Sequence, residues 1–308
     1  MITEVTERRV LAALRFVSSV TQLPVTGPFD VRLLAISGVQ LPELPIAVPP
    51  LQAMSNGRGL VVIHQAPGFA IYTGDLNLAA PAVRTLQLRA SDRSGGFLPA
   101  EFSVDLPRAV NSARLANGHF SAGSVFEPVV IPLLPSPRSP EAANWAVIRV
   151  HLRHAVETAP ASGIFVPVPS RGALIRIHAE EQPPRRLLGR GLTEWRPVPG
   201  LGHPAVAEAL VAVPDVPVTQ WSNLPNANVL TPNQEIRIEV RIDRNFNPST
   251  PEAMPNLARL EPPGNVPLPN GVVMAEFPAA GQPARQLRAG LRETLSLFLD
   301  QNAALSTP

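Results

Sequence analysis

Along residues 84–108, RTLQLRASDRSGGFLPAEFSVDLPR, apolar and polar positions alternate one by one on both sides of a Ser-Gly-Gly turn. Leu86 and Leu88 alternate with Gln87 and Arg89, while Phe102, Val104 and Leu106 alternate with Glu101, Ser103 and Asp105. A period of two places one set of side chains on a single face. The segment therefore predicts a hairpin turning at 92–96 with one buried face. Leu-Pro at 98–99 and again at 106–107 blocks the ladder at each end, because proline has no N–H to donate. Such a hairpin is read as the closing edge of a β-sandwich.

The same patterning recurs along the chain. Residues 10–26 read as a strand, a polar turn and a short edge strand, and FDVRLLAI follows at 29–36. A buried strand at 59–64 lies between the turn signals Asn56-Gly57 and Ala66-Pro67-Gly68. Further on, 145–154, 172–181 and 235–242 alternate, and 163–169, 207–218 and 271–277 are β-rich. Three stretches are read as irregular: the Pro-rich excursion at 40–54, the Arg/Gly loop at 183–204, and the Pro/Asn-rich run at 243–270. NGRGLVVIHQAPG at 56–68 and GRGLTEW…AEALVAVPDVPV at 189–218 share one order of turn, apolar strand and proline stop, which suggests an internal duplication.

From Pro283 the period changes. Leu287, Leu291, Leu295 and Phe298 follow one another at helical spacing, with Arg285, Arg288 and Arg292 turned mostly elsewhere and Pro283 suited to a first helical turn. The spacing predicts an amphipathic helix over 281–303. The expected organisation is a first module at 1–108, a linker at 109–143, a second module at 144–243, a Pro/Asn-rich extension at 244–280, and that helix.

Composition fits a mainly β protein. Of 308 residues 37 are proline, about twice the usual share, which is too many missing backbone donors for long helices. All 26 basic residues are arginine, in keeping with GC-rich coding. They are dispersed among 24 acidic residues, net charge is only +2, and no aromatic RNA-binding motif accompanies them, so nucleic-acid binding is not expected. Cysteine is absent, which removes disulfides, thiolate nucleophiles and zinc-cysteine sites. Without a secretory signal or a run of 18 apolar residues, the chain is expected in the cytoplasm, or in a particle released from the cell, and not inserted in a membrane.

Leu23-Pro24-Val25 and Asn56-Gly57-Arg58-Gly59-Leu60 in the first half, with Leu192-Thr193-Glu194 and Glu208-Ala209-Leu210 in the second, resemble the motifs of carboxypeptidase-regulatory or transthyretin-like modules. The resemblance spans 11–108 and 144–222. It implies two seven-stranded Greek-key β-sandwiches that serve as rigid spacers or interaction platforms rather than enzymes. Two such modules with a Leu-Pro-rich hairpin are also similar to accessory proteins of phage-tail-like contractile injection particles.

Candidate chemistry is sparse. His154-Ala-Val-Glu157 spells the HxxE of zinc carboxypeptidases, yet the large α/β domain those enzymes need has no room here. His151 and His154, three apart on a strand, point to opposite faces. His64 and His178 each end an apolar strand, where a satisfied or solvent-facing imidazole is expected, and His119 and His203 complete the six histidines. Ser121 lies in a Gly-rich linker rather than at a nucleophile elbow. The glycines at 57, 59, 95, 96, 189, 191, 200 and 202 open no helix after a strand, which argues against a phosphate loop. Asp92, Asp105 and Asp243 lack the close spacing of a calcium loop. No cofactor, metal or catalytic residue is assigned.

Recognition is the better prospect. Trp195 stands among Arg185, Arg186, Arg190 and Arg196, and Trp and Arg dominate interface hot spots. Trp145 reads as a core plug and Trp221 as exposed, while Trp195 fits either role. The expected partner-binding set is Arg190, Trp195, Arg196, Leu287, Leu291, Leu295 and Phe298, with a protein partner engaged through the C-terminal helix. The leading expectation is a non-enzymatic structural or adaptor protein, and the alternative is a carbohydrate- or ligand-binding sandwich.

Overall fold

The computed structural model describes residues 10–37, 51–56, 59–67, 83–109, 115, 117–121, 123–140, 145–159, 162–180, 185–196, 206–214, 216, 233–246, 253–262 and 266–307. The chain is mainly β and divides into two units, residues 1–133 and 134–308.

The first unit contains β1 (Ala12–Ser18), β2 (Phe29–Ile36), β3 (Gln52–Ser55), β4 (Leu60–Gln65), β5 (Arg84–Asp92), β6 (Ala100–Leu106) and β7 (Val129–Leu133). These form one sheet of order β3-β4-β1-β7 and another of order β2-β5-β6. β1 runs antiparallel to β4 and parallel to β7. One core takes Leu14, Phe16, Ile63 and Ile131 from the larger sheet and Leu86, Leu88, Val104 and Leu106 from the smaller. The Phe16 ring lies 4.2 Å from that of Phe29 and meets Phe102 edge-on at 6.3 Å. Burying each such side chain contributes about 1.5–3 kcal/mol.

The alternating segment forms the hairpin β5-β6, with Leu86 opposite Val104 and Leu88 opposite Phe102. Its polar face is paired across the strands, Arg89 with Glu101 at 2.5 Å and Thr85 with Asp105 at 2.5 Å. At the turn the Asp92 carboxylate accepts the N–H groups of Ser94, Gly96 and Phe97 at 2.9, 2.9 and 3.1 Å, while Gly95 takes φ +74°. Asp92 and Asp105 thus serve the hairpin itself. Val129–Leu133, inside the stretch read as a linker, is the edge strand β7; Ile131 and Leu133 turn inward and Pro132 outward, a position where an edge tolerates proline.

The second unit contains β8 (Ala146–Glu157), β9 (Phe165–Pro169), β10 (Leu174–Ala179), β11 (Leu187–Leu192), β12 (Glu194–Arg196), β13 (Val206–Val213), β14 (Gln234–Asp243), α1 (Leu257–Leu260), β15 (Val272–Phe277), β16 (Arg285–Leu287), β17 (Arg292–Leu299) and β18 (Leu305–Ser306). Its sheets run β12-β13-β8-β17-β18, with β9 added on β8, and β11-β10-β14-β15, with β16 added on β14. The path β12-β13-β8-β17 repeats β3-β4-β1-β7 in order and direction, including the parallel pair β8/β17. Likewise β10-β14-β15 repeats β2-β5-β6, all antiparallel. The two segments whose sequences suggested a duplication contain β4 and β13, which hold the same place in their sheets. Strands β9, β11, β16 and β18 are additions of the second unit.

The expected C-terminal helix is corrected: residues 285–299 form β16 and β17. The segment ETLSLFL alternates, with Leu295, Leu297 and Leu299 buried and Thr294 and Ser296 exposed, and Gly290 at φ +70° breaks the run before it. The four-residue spacing of the leucines coincides with a helix face only by position. Among the described residues the single helix is α1, one turn capped by the Asn256 side chain on the Ala258 N–H.

The segment read as an Arg/Gly loop also contains strands. In β11, a Cβ on Gly189 would stand 2.8 Å from the Ala212 carbonyl oxygen, and one on Gly191 would stand 2.4 Å from that of Leu210. These glycines let β11 lie directly against the backbone of β13. Thr193, fully buried, donates to the Ser170 carbonyl at 2.6 Å and accepts the Ala173 N–H at 2.8 Å, fixing the corner into β12.

Candidate functional site

The residues expected to bind a partner are dispersed. Leu287 and Leu295 are buried in the core of the second unit and Leu291 packs against it, so the apolar stripe is interior packing rather than an exposed face. Phe298 stands on the opposite face of β17, half-buried. Trp195 lies beneath the Arg171 guanidinium, 4.9 Å from its ring centroid, and Arg171 is itself held by Glu194 at 2.5 Å. Arg190 is tied to Glu261 at 2.8 Å. Arg196 pairs with Val206 through its backbone. His203 and Trp221 lie outside the described residues, as do Gly57, Gly200 and Gly202 and the side chain of Arg196.

The arginines of the second unit mostly compensate carboxylates. On the outer face of the β10-β14-β15 sheet, Glu239 accepts from Arg176 at 2.9 Å and from Arg241 at 2.7 Å. Arg237 binds Glu180 at 2.6 Å and the Pro278 carbonyl at 2.8 Å, and Arg185 binds Glu276 at 2.8 Å. His178, buried among these groups, has both ring nitrogens without a hydrogen-bond partner. Burial first, then the positive charge of Arg176, lowers its pKa. Asp243 accepts from Arg259 at 2.7 Å and from the Asn245 N–H at 3.0 Å. Although burial opposes ionisation, those bonds and the Arg259 charge hold its carboxyl below the usual range.

The HxxE pair takes no part in a metal cluster: among the described residues no three His, Asp or Glu side chains converge. His154 is half-buried with Nδ1 unpartnered, and desolvation, then the charge of Arg244, lowers its pKa.

Two features that the sequence reading missed stand on the β13-β8-β17 sheet. One is a row across three strands on its outer face, where Glu208, His151 and Ser296 are register partners. Glu208 is wholly buried, 2.5 Å from the Arg149 guanidinium and 3.3 Å from His151 Nε2. A cavity of about 470 Å³ opens over His151 and Ser296, with Arg153, Phe298, Pro167 and Val206 also lining it. The three residues of the row come from distant segments, so no local motif announces them.

The other feature is an arm. β8 pairs with β17 only as far as His154, whereas β9 pairs with it to Glu157. The outer part of the hairpin therefore runs past the sheet. It carries Val156, Ile164, Phe165 and Val166 at 38, 63, 39 and 41% exposure. The Thr158 N–H to Ile164 carbonyl and Ser170 N–H to Leu152 carbonyl bonds direct the even-numbered residues of β9 toward β8. The backbone groups of Phe165, Pro167 and Pro169 thus face the open edge of β9, and only Phe165 among them has an N–H.

No family, curated protein or solved structure matches the chain.

Proposed function

We infer that the protein is a non-enzymatic structural or adaptor component that presents rigid β-sandwich units within a larger assembly. The observation that carries this reading is the β8-β9 arm, which exposes Val156, Ile164 and Val166 on one face and Phe165 on the other, apolar side chains of the kind that mark an interaction site. The arm takes the place of the helix as the element that meets a protein partner. Its proline-blocked edge favours docking through side chains over strand addition. The seven strands of the first unit, and the repetition of their order in the second, support the resemblance to transthyretin-like modules. A place in a phage-tail-like contractile particle rests on that resemblance alone.

The test is the native mass of the protein recovered from its own cells, beside that of a Phe165→Asp, Val166→Asp variant. Fixed stoichiometric association that is lost in the variant supports the reading. A wild-type monomer without companions overturns it.

A further inference from the structure

The cavity on the outer face of the β13-β8-β17 sheet carries polar and charged groups, unlike the exposed apolar end of the arm. Alternation settles which side chains face it. Ile148, Val150 and Leu152 of β8, Ala209 and Val211 of β13, and Leu295 and Leu297 of β17 enter the core. His151, Arg153, Glu208, Ser296 and Phe298 consequently project from the other face. Phe298 is the register partner of Arg153, as Ser296 is of His151. Two polar groups and a cation are set beside an aromatic ring, with Pro167 of β9 and Val206 of β13 completing the apolar wall. A volume of about 470 Å³ lies within the range of small-molecule sites.

The charges select the ligand. The Glu208 carboxylate, on the strand position paired with the lining residue His151, is already met by Arg149 at 2.5 Å and His151 at 3.3 Å. Among the described residues, no acidic side chain lines the cavity. Arg153, exposed, has no ion-pair partner among the described residues, so its guanidinium fork is available to an anion. His151, which lines the cavity, meets Glu208 through Nε2, so its Nδ1 is not used by that carboxylate, and Ser296, its register partner, is exposed beside it. By contrast, a cavity of about 380 Å³ in the first unit is lined by Val25, Phe29, Asn56, Val61 and neighbours, none of them ionisable among the described residues.

We propose that this cavity binds a carboxylate carried on an apolar body, the carboxylate meeting Arg153, His151 and Ser296 and the body lying against Phe298, Pro167 and Val206. The same chemistry is offered by a small aryl or alkyl acid and by the free C-terminus of a peptide ending in an aromatic residue.

The experiment titrates full-length protein, labelled at histidine, with 3-phenylpropionate and with its neutral amide, following the His151 ring signals by NMR. Saturable shifts with the acid, weakened about tenfold or more for the amide and for Arg153→Gln, are expected from loss of a charge-assisted pair. Arg153 is exposed, so this variant keeps the fold; Arg93→Gln in the first unit serves as the control and is expected to bind as wild type. A second arm compares a short peptide ending in free phenylalanine with its C-terminal amide. Binding of the free-ended peptide assigns the carboxylate to a chain terminus, and binding of phenylpropionate alone assigns it to a small molecule. Equal affinity for acid and amide, unchanged affinity in Arg153→Gln, or no saturable shift of His151 overturns the proposal. Failure here leaves the association test of the arm untouched.

Discussion

The Glu208 carboxylate, with no solvent exposure, is 2.5 Å from the Arg149 guanidinium, which also donates to the Pro137 carbonyl at 2.9 Å. A charge so placed is held by its partners rather than by water. Arg149→Met is expected to cost about 3 kcal/mol, because it leaves the carboxylate buried and undercompensated. The double variant Arg149→Met, Glu208→Leu should recover most of that loss. Urea unfolding of the three proteins checks both statements, and equal losses in the single and double variants would contradict them.

The two glycines of β11 and the glycine of the β5-β6 turn are expected to respond differently to alanine. At Gly191 the new Cβ would meet a backbone carbonyl oxygen at 2.4 Å, so β11 must move away from β13 at a cost of about 2–3 kcal/mol. At Gly95 nothing lies within 4 Å, and the cost is the positive φ alone, about 1 kcal/mol. Thermal unfolding that ranks Gly95→Ala as the more damaging change would reject this account of β11.

Acid should destabilise the second unit in two stages. His154 and His178 both have folded pKa values below the ordinary ~6.5, so the unfolded chain takes up protons first. Their contribution is complete above that pH and is lost as pH falls from it toward the folded values. The depressed Asp243 adds stability above its ordinary value near ~3.9, lost as pH falls further toward its folded pKa. In denaturant titrations across pH, a His154→Gln, His178→Gln variant should flatten the first stage and leave the second. A slope near neutrality that survives both substitutions would refute the histidine assignment.

Leu295 belongs to the core, so Leu295→Ala is expected to cost about 2–5 kcal/mol and to reduce β signal with temperature at an earlier midpoint. Circular dichroism should show no helical band lost in this variant. A stable Leu295→Ala protein would favour a surface role for this residue.

Pro167 and Pro169 withhold N–H groups along the outer edge of β9. Replacing both with valine restores two donors in a strand that already exposes Phe165 and Val166, and should produce concentration-dependent association or precipitation. Light scattering across a dilution series measures it, with unchanged monomer as the contrary result.

Strands with one buried face were legible in the sequence because alternation records the face directly, as in 84–106, 146–154 and 234–243. The region around 285–299 was not, because Leu287, Leu291, Leu295 and Phe298 satisfy a helical spacing while Thr294 and Ser296 satisfy a strand. What decides between them is long-range: β17 lies against β8, parallel and in register from Arg292 with Val147. Gly189 and Gly191 likewise read as loop residues, since the reason for them is the backbone of β13, which no local window contains. The row of Glu208, His151 and Ser296 was illegible for the same cause. Sheet register across three distant segments creates it, and each residue alone looks ordinary.

The parallel pairs β1/β7 and β8/β17 set a timetable for synthesis. Each joins the opening strand of a unit to one near its far end, with most of the unit's chain between them. A nascent chain leaving the ribosome can form its hairpins early, but the larger sheet of either unit waits for that late strand. The first unit can close while the second is still being translated. Until β17 emerges, β8 keeps one flank open beside the exposed arm, and that interval is when the growing chain most needs shielding from its neighbours.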